Sequence, residues 1–131
     1  MNKLVRESIS FQRGQDPKRV LGIGEYFNRI SSDEANGTSL MNFVTTNYNT
    51  LVKLFGIPDK GDEYKITTEW TIKDKKNGIY TIYDYKATNL YGSGLLSVKK
   101  FRSLPSYEWH IGGMNSSGIP DLIKFIQENE I

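Results

Sequence analysis

The sequence predicts an α+β fold: a small antiparallel β-sheet built around a central Asn-Gly hairpin, packed by two main helices and preceded by an N-terminal leader segment. Two alternating runs, Tyr64 to Lys75 and Ile79 to Ala87, flank Asn77-Gly78, the strongest short-range signal for a tight hairpin. Tyr48, Leu51, Val52 and Phe55 recur at helical spacing, as do Ile119, Leu122, Ile123 and Ile126 near the C-terminus. The length of 131 residues, with 37% apolar and 12% aromatic side chains, suffices for one core and leaves no room for a second full domain.

Each element has a local reason. Asp16-Pro17 suits the start of a short helix that Gly22 and Gly24 would end, and the polar stretch from Ser31 to Ser39 is the natural seam. The organisation expected is therefore a leader over residues 1–35 and a single α+β domain over 36–131. After the seam, Leu40 to Val44 reads as a strand and Thr46 as the N-cap of the first main helix, which Gly56 and Pro58 close. Thr88 to Pro105 is loop-like, although Ser97 can cap one or two turns carrying Val98 and Phe101. Tyr107 to Ile111 is a further strand, and Pro120 and Asp121 suit the first turn of the last helix.

Composition narrows the chemistry. The absence of cysteine removes disulfides and thiolate sites, and a single histidine removes multi-histidine metal motifs, which leaves only an all-carboxylate metal site; no metal and no cofactor is expected. The net charge of +2 comes from mixed populations without a basic block, which gives no support for a polynucleotide partner. Met1 to Phe11 lacks the apolar run of a signal peptide, and nothing reads as a membrane span, so a cytoplasmic protein with no membrane partner is expected. Gly22-Ile23-Gly24 lacks the third glycine and the preceding strand of a dinucleotide fingerprint.

If Asn77 and Gly78 are the two central residues of the turn, Lys76 faces Ile79 and counting outward sets the register. One face then pairs Trp70 with Tyr85, Ile72 with Tyr83 and Thr68 with Ala87, and should be the core. The other pairs Glu69 with Lys86, Thr71 with Asp84 and Lys73 with Ile82. On the later strand, Glu108 and His110 oppose the aromatic side formed by Tyr107 and Trp109, which places them on that polar face if the strand joins the same sheet. Such a face is either a solvated sheet surface with weak ion pairs or a ligand site.

Immediately after His110, Gly112 and Gly113 lead through Ser116 and Ser117 to the last helix, a junction of the type that can hold an anion without the ending of a P-loop. Tyr26, Phe27, Tyr48, Tyr80, Tyr91 and Tyr107 exceed what so small a core accommodates, so some should reach the surface for base stacking or for a subunit interface, and a homo-oligomer is expected.

The ordered series Leu54-Phe55-Gly56-Ile57-Pro58, Gly61-Asp62, Tyr64-Lys65, Glu69-Trp70-Thr71-Ile72, Thr81-Ile82-Tyr83-Asp84-Tyr85-Lys86 and Glu108-Trp109-His110-Ile111-Gly112-Gly113 resembles a family of small, mostly uncharacterised proteins encoded by bacteriophages and large DNA viruses. The likeness covers roughly residues 40 to 126. The leader, Phe11-Gln12-Arg13-Gly14-Gln15-Asp16-Pro17-Lys18 through Leu21-Gly22-Ile23-Gly24, resembles a short segment at the start of many phage proteins.

The resemblance implies a counter-defence protein in the host bacterial cytoplasm that sequesters a nucleotide-type immune second messenger, a cyclic dinucleotide or an ADP-ribose derivative, without chemistry. Lys86, His110, Gly112, Gly113, Ser116 and Ser117 would then contact phosphates, and Glu69 and Asp84 would hold ribose or base groups, with Thr71 and Glu108 on the same face. One alternative is a small metal-independent phosphodiesterase with His110 as general acid or base and Lys86 stabilising developing charge. Another is a protein that binds and inhibits a host defence enzyme directly.

Overall fold

A computed structural model describes residues 26–131, together with two two-residue strands, β1 (Phe11–Gln12) and β2 (Asp16–Pro17), which pair antiparallel. Asp16 and Pro17 are thus extended, not the start of a helix; Gly22 and Gly24 lie outside the described residues. The remaining elements are β3 (Phe27–Arg29), a 3-10 turn η1 (Ser32–Ala35), β4 (Ser39–Thr46), α1 (Tyr48–Phe55), β5 (Glu69–Asp74), β6 (Ile79–Tyr83), α2 (Val98–Arg102), β7 (Tyr107–Gly113) and α3 (Ile119–Glu128). Strands β3-β5-β6-β7-β4 form one antiparallel five-stranded sheet in that order, so the fold is α+β. Because β3 is an edge strand of this sheet, residues placed by sequence in the leader belong to the folded body.

The caps follow the sequence closely. Asn47, one residue after the expected Thr46, caps α1 by accepting from Thr50 N–H at 2.8 Å, while Thr46 stays in β4. Ser97 caps α2 through Lys100 N–H at 3.1 Å. The core consists of the inward faces of α1 and α3 against Val44, Trp70, Ile72, Tyr80, Ile82, Trp109 and Ile111. Trp70 and Trp109 meet edge to face at 5.6 Å, and each donates its indole N–H to a backbone carbonyl, Gly56 at 2.8 Å and Thr46 at 3.1 Å. Burying both rings therefore leaves no indole donor unsatisfied.

The hairpin departs from the expected turn. Asp74 N–H bonds to Gly78 O at 2.9 Å and Asn77 N–H to Asp74 O at 3.0 Å, so the loop is three residues, Lys75 to Asn77, with Asn77 at φ 69°. The Asp74 carboxylate sets this shape: Oδ1 accepts from Lys76 N–H at 2.9 Å and Gly78 N–H at 2.7 Å, and Oδ2 accepts from the Tyr80 hydroxyl at 3.0 Å. Asn carries the left-handed position, whereas Gly78 is required for space, since a Cβ there would lie 2.6 Å from the Tyr80 hydroxyl. The resulting pairs are Glu69 with Tyr83, Trp70 with Ile82, Thr71 with Thr81 and Ile72 with Tyr80.

An odd shift of register exchanges the two faces of one strand relative to the other. Tyr80 and Ile82, not Tyr83 and Tyr85, join Trp70 and Ile72 in the core, and Tyr83 comes to the opposite face. That outer face is crossed by the chain between β3 and β4, which lie at opposite edges. Here η1 packs on β5 and β6 and helps bury Thr71 and Thr81. The rest of the outer face stays open.

Replacing Asp74 with Ala strands three donors and should lower stability by about 1–3 kcal/mol in urea denaturation. Asn77→Gly, which relieves a left-handed non-glycine residue, should change it by less than about 1 kcal/mol.

Candidate functional site

The open face is organised as a row of side chains across four strands. Register places Glu69 of β5 beside Tyr83 of β6, Tyr83 beside His110 of β7, and His110 beside Phe43 of β4. The rings are in contact: His110 stacks on Tyr83 at 5.4 Å and 29°, meets Phe43 edge-on at 5.0 Å, and lies 5.6 Å from Tyr85. Phe43 and Tyr85 are exposed and Tyr83 is half-buried, so these rings form an accessible platform. Gly112 serves this platform by its missing side chain: a Cβ would lie 2.5 Å from Thr81 Oγ1 and 3.6 Å from the Tyr83 ring.

Burial shifts the ionisable members of the row. Glu69, held among Asp59, Asp62 and Asp84, has its carboxyl pKa raised, mainly by burial and then by those three acids. Tyr83 is raised by burial, then by Glu69 and Tyr85. The His110 imidazole is lowered by burial, partly offset by Glu108 and Asp84. Its Nδ1 is buried with no hydrogen-bond partner among the described residues. A proton on Nδ1 would be a stranded buried donor, so the favoured neutral tautomer carries it on Nε2. The ring then offers a donor, with its face stacked on Tyr83. A general base would instead need an acceptor orienting Nδ1–H, and among the described residues no carboxylate takes that position.

Only part of the constellation expected from sequence gathers here. Glu69, Thr71, Glu108 and His110 share the outer face, although Thr71 is fully buried beneath the crossing segment. Asp84 does not join them: it is fully buried, and its carboxylate accepts from Thr67 N–H at 2.8 Å, Thr67 Oγ at 2.6 Å and Thr68 N–H at 3.0 Å. These bonds make Asp84 a structural anchor for the chain entering β5, in place of the ligand role expected of it. Lys86 follows the end of β6, fully exposed, with its ammonium 5.1 Å from the Tyr85 ring and 5.2 Å from the Tyr91 ring. Those two phenols raise its pKa above the ordinary lysine value.

The glycine-rich junction also differs from an anion cradle. Gly112 and Gly113 are strand residues of β7, paired on one side with Thr81 and Tyr80 and on the other with Leu40 and Ser39. Ser117 N–H and Oγ both donate to Asn115 Oδ1, at 3.1 and 2.7 Å, and Ile119 N–H bonds to Ser116 O at 3.2 Å. Gly118 packs against the Tyr80 hydroxyl, where a Cβ would clash, and burial and Asp74 push the pKa of that hydroxyl up to about 12. The Ser117 donors and Ile119 N–H are thus spent within the protein. Ser116 and Ser117 lie at the hairpin-turn end of β7 and Lys86 beyond the opposite end of β6, so they cannot share one phosphate with His110.

Tyr83 and Tyr85, which sequence reasoning placed in the core, and Phe43, which it placed only within a strand, belong to this candidate platform. The available signal was Asp74, four residues before Gly78, a spacing that lets its carboxylate close a three-residue loop. No group of three or more His, Cys, Asp or Glu side chains placed to hold a metal occurs among the described residues. No described helix is long and apolar enough to cross a membrane. No protein-family model matches the chain, and no curated protein matches it.

The chain has one histidine, so its imidazole is directly observable by proton NMR. Its titration midpoint should fall below the unperturbed value of about 6.5. Since the unfolded chain then binds the proton more readily, this group's contribution to stability is complete above about pH 6.5 and is lost as the pH falls towards the folded-state value. His110→Phe should remove that loss. Glu69, with a raised value, acts in the opposite sense: its contribution is complete below its unfolded pKa and is lost as the pH rises through its folded value.

Proposed function

We propose that this protein is a non-catalytic binding module for a nucleotide-type ligand, with the base stacking on the platform of Phe43, Tyr83, Tyr85 and His110. The observation that carries this reading is the row itself, a set of contacting rings left accessible on one sheet face beside hydrogen-bonding groups. Aromatic faces bind bases with little regard to which base, and Glu69 and the outward Nε2–H of His110 supply an acceptor and a donor for base edges. The unpartnered Nδ1 favours binding over cleavage, because a phosphodiesterase built on His110 would need that nitrogen oriented. The resemblance to phage proteins adds the biological role: sequestration of a bacterial immune signal such as a cyclic dinucleotide or an ADP-ribose derivative, in the host cytoplasm. The sheet face, not the junction before α3, is the surface assigned to the ligand.

The test is equilibrium dialysis against AMP, ADP-ribose and cyclic di-AMP, followed by heat release and chromatography. At least one should be retained and recovered intact, and Tyr83→Ala should weaken its binding by about tenfold or more, in line with the usual worth of a base–aromatic stack. Recovery of a cleaved product would replace this reading with the phosphodiesterase. Retention of none would replace it with a protein partner.

A further inference from the structure

The aromatic surface does not end at Tyr85. Beyond Lys86 lies a second pair of rings, Tyr91 and Tyr64, whose centroids are 5.2 Å apart. They come from separate loops that are each held by their own bonds. Asp62 Oδ1 accepts from Tyr64 N–H and Ile66 N–H, both at 2.9 Å, and Tyr91 N–H bonds to Thr88 O at 3.0 Å in a loop closed by the Thr88–Leu96 bridge. Tyr64 is 51% exposed, so this pairing presents ring surface outward instead of filling a core.

Between the two stations stands the Lys86 ammonium, about equally distant from Tyr85 and Tyr91. Its backbone is in the left-handed region at φ 55°, which a lysine adopts at some energetic cost, and its N–H is fixed to Lys65 O at 2.7 Å. The order along the surface is therefore rings, cation, rings. Glu69 and Glu108 on the first station's face disfavour an anion there, which leaves Lys86 as the cation in contact with these rings.

We infer that the site is bipartite and takes two bases joined through a phosphodiester, one base on the platform around Tyr83 and His110, the other on Tyr91 and Tyr64, and the linking phosphate at Lys86. The inference rests on the nucleotide reading above and narrows it from a single base to two linked ones. The same chemistry occurs in a free dinucleotide and in a single strand.

Isothermal titration with AMP, with the linear dinucleotide pApA and with a 12-nucleotide oligo(dA) tests it. The dinucleotide should bind at least about tenfold more tightly than AMP, the gain expected of one further stack. Tyr91→Ala should reduce pApA binding to near the AMP level and leave AMP affinity within about twofold, Lys86→Ala should weaken both ligands through the lost phosphate contact, and Tyr91→Phe, which keeps a stacking ring, should retain most of the gain. Matching thermal melts establish that these substitutions leave the fold intact. A tighter and strongly salt-dependent 12-mer identifies a single strand as the source, and a 12-mer no better than pApA identifies a free dinucleotide. Equal affinity for AMP and pApA, or equal losses for both in Tyr91→Ala, overturns the second station and leaves the first intact. Failure of Tyr83→Ala to weaken AMP overturns the nucleotide reading itself, and the inference with it.

Discussion

The carboxylate of Asp74 is the constraint on which the outer face depends. Its Oδ1 takes two amides of the loop, and its Oδ2 takes the Tyr80 hydroxyl, against which Gly118 packs at the start of α3. One side chain thus joins the hairpin turn, the middle strand and the last helix. Because the loop it closes has three residues, β6 meets β5 with Tyr80 and Ile82 turned towards the helices and Tyr83 turned away. Any other closure of that loop changes the pairing throughout the hairpin.

The two faces consequently have different physical characters. The inner one is filled by tryptophan, isoleucine and leucine under α1 and α3, with the indole donors satisfied by backbone carbonyls. The outer one holds rings that neither helix covers, and the crossing segment around η1 shields the neighbouring row, Thr71 and Thr81, while the row through Tyr83 and His110 stays accessible. A neutral imidazole with its inner nitrogen unpartnered behaves there as part of an aromatic surface more than as an acid–base group. On this ground we propose binding without turnover.

Much of the fold was legible in the sequence because the determining signals are local. Ser97 caps its helix as expected, the spacing of Leu51 and Phe55 or of Leu122 and Ile126 marks the buried helix faces, and Trp109 and Ile111 mark the inner side of β7. The face of β6 was not legible from its own pattern, since Tyr80 and Ile82 alternate with Ile79, Thr81 and Tyr83, and either set can line a core. Only the loop decides, and Asn77-Gly78 suggested two central residues where Asp74 dictates three. The misplacement of Asp84, Tyr83 and Tyr85 follows from that single step. The burial of Asp84 depends on amides of Thr67 and Thr68, far away in sequence and beyond the reach of local pattern. Gly112 and Gly113 illustrate a related ambiguity, because glycines that permit close packing of a strand look the same in sequence as glycines that cradle an anion.

The register can be measured directly, because the chain contains no cysteine to interfere with engineered pairs. Glu69 exchanges both of its backbone hydrogen bonds with Asp59, so its pairing with Tyr83 is of the close, non-hydrogen-bonded kind that suits a disulfide. Under mild oxidation the double variant Glu69→Cys/Tyr83→Cys should form an intrachain disulfide rapidly, and Glu69→Cys/Lys86→Cys should not. Rapid closure of the second pair in place of the first would mean a two-residue turn, return Tyr83 to the core, and contradict the open aromatic face.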